Sequence, residues 1–152
     1  MRAAVSSWPA RLRGLTLQDM RLLLEAQRDL LACQLAKWLR PVGRLLDWEN
    51  ASTGEDVQPV ASLQTLRAVG WAVTRAASYG VFRPQCLVRS LAIQRMLRRR
   101  GIAGSTIRIG VRLQDGAFSA HAWVEVGGLV IGDSRAHVES FTRITDHRLV
   151  QL

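Results

Sequence analysis

Apolar residues recur at helical spacing in three stretches of this chain, and from Ser105 onward they recur at the two-residue spacing of strands. Thr16 followed by Asp19 has the form of a helix cap. Met20, Leu23, Leu24, Leu31, Leu35 and Trp38 then fall on one face of a helix running to about Leu39. That face is expected to pack, with Cys33 a small core-side residue beside it. Pro41 ends the run, Val42 to Trp48 is a candidate short helix, and Glu49 to Pro59 reads as a polar, acidic loop. Leu63, Leu66, Val69 and Val73 mark a further helix from Val60 to Ser78, closed by Tyr79 and Gly80. Pro84 precedes Cys86, and Leu87, Leu91, Met96 and Leu97 line a helix that stops at Gly101, a residue suited to a C-terminal cap.

Beyond Ser105, Ile107, Ile109, Val111 and Leu113 alternate with polar or small residues as far as Asp115-Gly116, a hairpin signal. Phe118 to Val126 forms the next predicted strand, Gly127-Gly128 a second turn, and Leu129 to Ile131 a third strand. Phe141 to Ile144 and Arg148 to Leu152 are candidates for short additional strands. Helices first and an antiparallel sheet afterwards define an α+β class, in which a Cys-bearing helix packs on a small antiparallel sheet. The expected organisation is a single domain over residues 1–152, with a helical part at 1–80 and the chemistry at 81–152.

A length of 152 residues and 48% apolar composition suit one such core. Arg21, Arg28, Asp29, Lys37 and Arg40 interrupt every apolar run before it reaches membrane-spanning length, and Met1 to Met20 lacks the form of a secretory signal. A cytoplasmic location and free thiols at Cys33 and Cys86 follow as expectations. The net charge of +9 raises nucleic-acid binding, but the basic residues are spread from Arg2 to Arg148. Their one dense group, Arg95, Arg98, Arg99 and Arg100, is expected to be a solvated helix end that complements the helix dipole. No nucleic acid is expected as a partner. No cofactor is expected either: there is no Gly-rich phosphate loop, and Cys33, Cys86, His121, His137 and His147 show no paired metal-ligand spacing.

The chemistry-bearing residues are Cys86, His121 and Asp133. A thiolate is stabilised by the free N–H groups of a helix start, where Cys86 is placed. His121 lies within Ala120-His121-Ala122-Trp123-Val124-Glu125, flanked by small residues, and Asp133 follows the third strand as an acceptor that can orient the imidazole. The backbone N–H of Cys86 is the natural oxyanion donor, with Gln85 a candidate from adjacency. Trp123 is read as core, or as a cleft wall. Hairpin parity adds a constraint. A two-residue Gly127-Gly128 loop pairs residues whose numbers sum to 255, so His121 would oppose Ser134 and Asp133 would face away. A three-residue loop or bulge, with Gly128 at positive φ, is therefore expected.

The runs Cys86-Leu87-Val88-Arg89-Ser90-Leu91, Met96 to Ile102, His121 to Glu125 and Gly132-Asp133 closely resemble the transglutaminase-like peptidases of lasso-peptide biosynthesis, over roughly Phe82 to Asp133. The leucine-rich helices of Thr16 to Trp48 resemble the N-terminal part of the stand-alone form. The resemblance implies a papain-like cysteine protease that removes the leader from a precursor peptide, with Cys86 as nucleophile, His121 as base and Asp133 as orienting acid. It also implies partners: the precursor peptide, a separate leader-recognition protein, and an ATP-dependent cyclase acting next. An apolar helical face or the Arg95 to Arg100 cluster is the expected docking surface. The competing readings are a transglutaminase-type acyl transferase using the same triad, and a non-catalytic peptide- or nucleic-acid-binding module.

Overall fold

The computed structural model describes residues 14–39 and 62–144. Within them four helices, α1 (Leu17–Leu39), α2 (Leu63–Tyr79), α3 (Cys86–Arg99) and α4 (Arg135–Glu139), accompany four strands. These are β1 (Ser105–Gln114), β2 (Ala117–Val126), β3 (Leu129–Ile131) and β4 (Thr142–Arg143). The strands form one antiparallel sheet in the order β3-β2-β1-β4; helices α1, α2 and α3 pack against one another, with α3 lying on β1 and β2 and α2 meeting β3. The architecture is α+β, as the change in hydrophobic period from helical to alternating predicts. The expected helix at Val42 to Trp48, the loop at Glu49 to Pro59 and the strand at Arg148 to Leu152 lie outside the described residues. No described helix is long and apolar enough to cross a membrane.

Local chemistry accounts for the element ends. Thr16 and Asp19 form a reciprocal capping box: the Asp19 N–H donates to Thr16 Oγ1 at 3.1 Å, and the Thr16 N–H donates to Asp19 Oδ2 at 2.8 Å. At the far end of α3, Gly101 (φ +69°) lets its N–H reach the Arg98 carbonyl and the Ile102 N–H reach that of Leu97, the paired bonds of a Schellman cap. Asp115 (φ 52°) and Gly116 (φ 75°) make the predicted two-residue hairpin turn between β1 and β2. The short helix α4 was not apparent from periodicity. It is only five residues long, and its start is set by the Ser134 hydroxyl accepting from the His137 N–H at 3.1 Å.

Helix α1 turns a different face inward from the one its leucines predict. Ala26, Asp29, Leu30 and Cys33 are buried, whereas Met20, Leu24, Leu31, Leu35 and Trp38 are exposed. Cys33 is core, as expected. The reason is electrostatic: Glu25 and Asp29 face α3 and hold its arginines. Arg99 Nη1 reaches Asp29 Oδ1 at 3.1 Å, with Nη2 bonded to Oδ2 as well. Arg99 Nη2 and Arg100 Nη2 reach Glu25 at 2.8 and 2.6 Å. Arg95 Nε lies 3.9 Å from Asp29. Arg95, Arg99 and Arg100 thus pair with carboxylates of α1 while staying partly exposed, so the cluster is an inter-helix ion-pair group as well as the solvated helix end that the sequence suggests. A buried carboxylate left without those partners would be costly, so the ion pairs decide how α1 is rotated.

Candidate active site

Cys86 is the first residue of α3, and Gln85 is its N-cap with extended backbone (φ −68°, ψ 162°). The free N–H groups of the first helical turn therefore lie at the end of α3 that carries the thiol. Across the sheet, β3 stops at Ile131 opposite Val124, which leaves the edge of β2 from His121 to Trp123 without a paired strand. The start of α3 and the chain leaving β3 converge at this open edge. A cavity of about 10 Å³ forms there, lined by Cys86, Arg89, Ser90, Ile93, His121, Trp123 and Asp133 among others, roughly the space of one water.

His121 Nε2 and Asp133 Oδ2 are 2.6 Å apart. Asp133 Oδ1 accepts from the Ser134 N–H at 2.7 Å, so the carboxylate is held at both oxygens. With Nε2 facing Asp133, Nδ1 is the ring nitrogen left for the thiol. Among the described residues no hydrogen bond joins Cys86 to His121; the two share the cavity wall. Such contacts commonly tighten only when substrate binds. The imidazole sits over an aromatic floor, stacked on Trp123 at 6.1 Å between centroids and tilted against Phe141 at 5.2 Å. Trp123 is both core and wall: it is buried with Val138 and Phe141 and also lines the cavity. Its indole N–H donates to Glu125 at 2.9 Å, and Glu125 also accepts from Arg143 at 2.8 Å.

The β2–β3 hairpin has no bulge and keeps the odd-sum register, contrary to the expected three-residue loop. The pairs Val124↔Ile131, Glu125↔Val130 and Val126↔Leu129 all sum to 255, so Gly127 and Gly128 form a tight two-residue turn without a bulge. Both take positive φ (55° and 80°), but neither shifts the register. Asp133 reaches His121 because the strand has already ended. Gly132 adopts φ +75° and swings the chain out of the alternation, so strand parity no longer governs Asp133. The Gly132 turn is then fixed from three sides. Thr74 Oγ1 and Arg89 Nη2 both donate to its carbonyl, at 3.0 and 3.2 Å, and a Cβ on Gly70 of α2 would come within 2.8 Å of its nitrogen. Gly110, opposite His121 in the β1–β2 register, makes room on the other side: a Cβ there would meet Phe141 and Trp123 at 2.8 and 2.9 Å.

Gln85 does not line the cavity; its Oε1 accepts from Lys37 Nζ on α1. Residues that sequence reasoning did not place here are Arg89, Thr74, Gly70, Phe141 and His137, whose ring lies 4.8 Å from that of His121. The spacing Asp133-x3-His137 was a readable signal for the last of these. A larger groove of about 640 Å³ adjoins the small cavity through Arg89, Ile131, Gly132 and Asp133. It runs along α2 past Trp71, Thr74, Arg75 and Tyr79.

A helix-borne cysteine, a strand histidine and a carboxylate set against an antiparallel sheet are the parts of a papain- or transglutaminase-type site. The sequence profile of the transglutaminase-like superfamily matches residues 29–146, and the chain belongs to that superfamily. Among characterised proteins, the microcin J25-processing protein McjB of Escherichia coli is 46% identical over 54 residues. That match covers 36% of this chain and 24% of McjB. No solved structure matches.

Proposed function

We propose that this protein is a cysteine peptidase that removes the leader from a lasso-peptide precursor, using Cys86 as nucleophile, His121 as base and acid, and Asp133 as the orienting group. The observation that carries this reading is the convergence of the three side chains on one cavity, with His121 Nε2 held 2.6 Å from Asp133. The segment shared with McjB, a protein named for processing microcin J25, supports a peptide as substrate.

In the proposed reaction Nδ1 of His121 takes the Cys86 proton as sulfur attacks the scissile carbonyl. The same nitrogen then protonates the departing amine, leaving an acyl thioester that water hydrolyses. Asp133 holds the ring and stabilises the imidazolium without itself taking a proton. The Cys86 backbone N–H, unpaired within the first turn, stabilises the oxyanion. Gln85 is the weaker donor because its amide is tied to Lys37 and lies off the cavity wall. The groove beside Asp133 is the channel for the extended precursor.

A separate leader-recognition protein presents the precursor by taking up the leader as an added strand, which raises the local concentration of the scissile bond, and an ATP-dependent cyclase acts next. Of the two expected docking surfaces, the apolar face of α1 remains exposed among the described residues. The test is cleavage of the precursor followed by mass spectrometry, with and without the leader-binding protein. Cys86→Ala should abolish cleavage, Cys33→Ala should retain it, and the partner should accelerate it. Cleavage that survives Cys86→Ala would overturn the assignment, and cleavage unimproved by the partner would remove the partner from it.

A further inference from the structure

We propose that His121, Asp133 and His137 form a second kind of site, one that captures a borderline divalent cation such as Zn2+ and switches the histidine off. One ligand atom from each residue lies within 4.8 Å of the others. The rings of His121 and His137 meet edge to face, 4.8 Å apart at 77°. Two imidazoles and one carboxylate are a donor set for zinc-like ions in preference to magnesium or calcium, which favour oxygen ligands. Metal-to-ligand distances of about 2.0–2.2 Å put neighbouring donors in a tetrahedral site roughly 3.3 Å apart. His137 is exposed on α4, so its side chain can rotate to close that gap. Its backbone N–H is independently held by Ser134, which keeps α4 in place while the ring moves.

The consequence for His121 follows from which nitrogen is used. Asp133 already faces Nε2, so a cation shared with Asp133 takes that nitrogen. With Nε2 on the metal, the neutral ring carries its proton on Nδ1 and cannot accept one from Cys86. Asp133 is at the same time converted from hydrogen-bond acceptor to ligand. The cation therefore competes with catalysis and plays no part in it. The inhibitory consequence rests on the hydrolase reading above; the binding site itself does not.

The experiment separates the two. Zn2+ is titrated calorimetrically into the full chain carrying Cys86→Ala, so that the thiol is not a ligand, and again into the same protein with His137→Ala. One equivalent should bind the first, at least tenfold more weakly in the second. With the thiol intact, Zn2+ should inhibit precursor cleavage reversibly on chelation. Measured against its own metal-free rate, His137→Ala should need at least tenfold more Zn2+ for the same fractional inhibition. Equal affinity with and without His137, or binding that disappears with Cys86, would overturn the proposal. Binding as expected in a protein without peptidase activity would uphold the site and refute only the hydrolase reading.

Discussion

Gly132 is the residue that brings Asp133 to His121, and replacing it with alanine tests that claim. Its φ of +75° lies in the left-handed region, where a Cβ costs about 1–2 kcal/mol. That Cβ would also stand 2.5 Å from Ile93 Cδ1. The clash falls on the terminal methyl of Ile93, which is buried in the main core, so accommodating it adds about 1–3 kcal/mol. Gly132→Ala should thus lose about 2–5 kcal/mol, read as a fall in Tm of roughly 5–15 °C for a chain of this size. Precursor cleavage should drop about 100-fold, the usual consequence of misplacing a catalytic group by an ångström. Gly128→Ala is the control. Its φ of +80° carries the same backbone strain, but nothing lies within 4 Å of the added Cβ, so it should lose only about 1–2 kcal/mol and keep full activity. Combining Gly132→Ala with Ile93→Val, which removes Cδ1, should be less destabilising than the sum of the two single changes. If Gly132→Ala matched Gly128→Ala in both Tm and cleavage rate, the assignment of the face change to Gly132 would be wrong.

The ion pairs between α1 and α3 yield two further expectations. Hydrogen bonds from Arg100, aided by Arg99, hold the Glu25 carboxyl at about 2 against a usual value of 4.5. A depressed folded value means stability fully present above about pH 4.5 and lost as the pH falls through about 2. Allowing for solvent screening, this amounts to about 1–2 kcal/mol, and Glu25→Gln should flatten acid denaturation curves between those limits. Arg99→Met leaves Asp29, only 1% exposed, with only Arg28 and Arg95 at 3.9 Å in place of its bidentate partner, and should cost up to about 3–5 kcal/mol by urea unfolding. Rescue by Asp29→Leu in the double variant would show that the loss came from the stranded charge.

The chain by itself determined the elements that rest on local rules. The capping box at Thr16, the Gly101 stop, the Asp115-Gly116 hairpin and the alternation of β1 and β2 each depend on residues within a few positions of one another, and each is found where the sequence places it. The candidate triad was legible for a similar reason: a cysteine starting a helix and a histidine within a strand are local features, and their order along the chain pointed to one chemistry. Tertiary contacts decided the rest. Which stripe of α1 faces inward was settled by Arg99 and Arg100, more than 70 residues away in the sequence, overriding the leucine pattern. The placement of Asp133 was settled by a glycine outside the strand and held by α2 and α3, so hairpin arithmetic could not find it. His137 came into contact with His121 only because a five-residue helix, too short to show a period, folds its ring back over the sheet edge. Periodicity records which side of an element is apolar; what stands opposite that side is a property of the assembled fold.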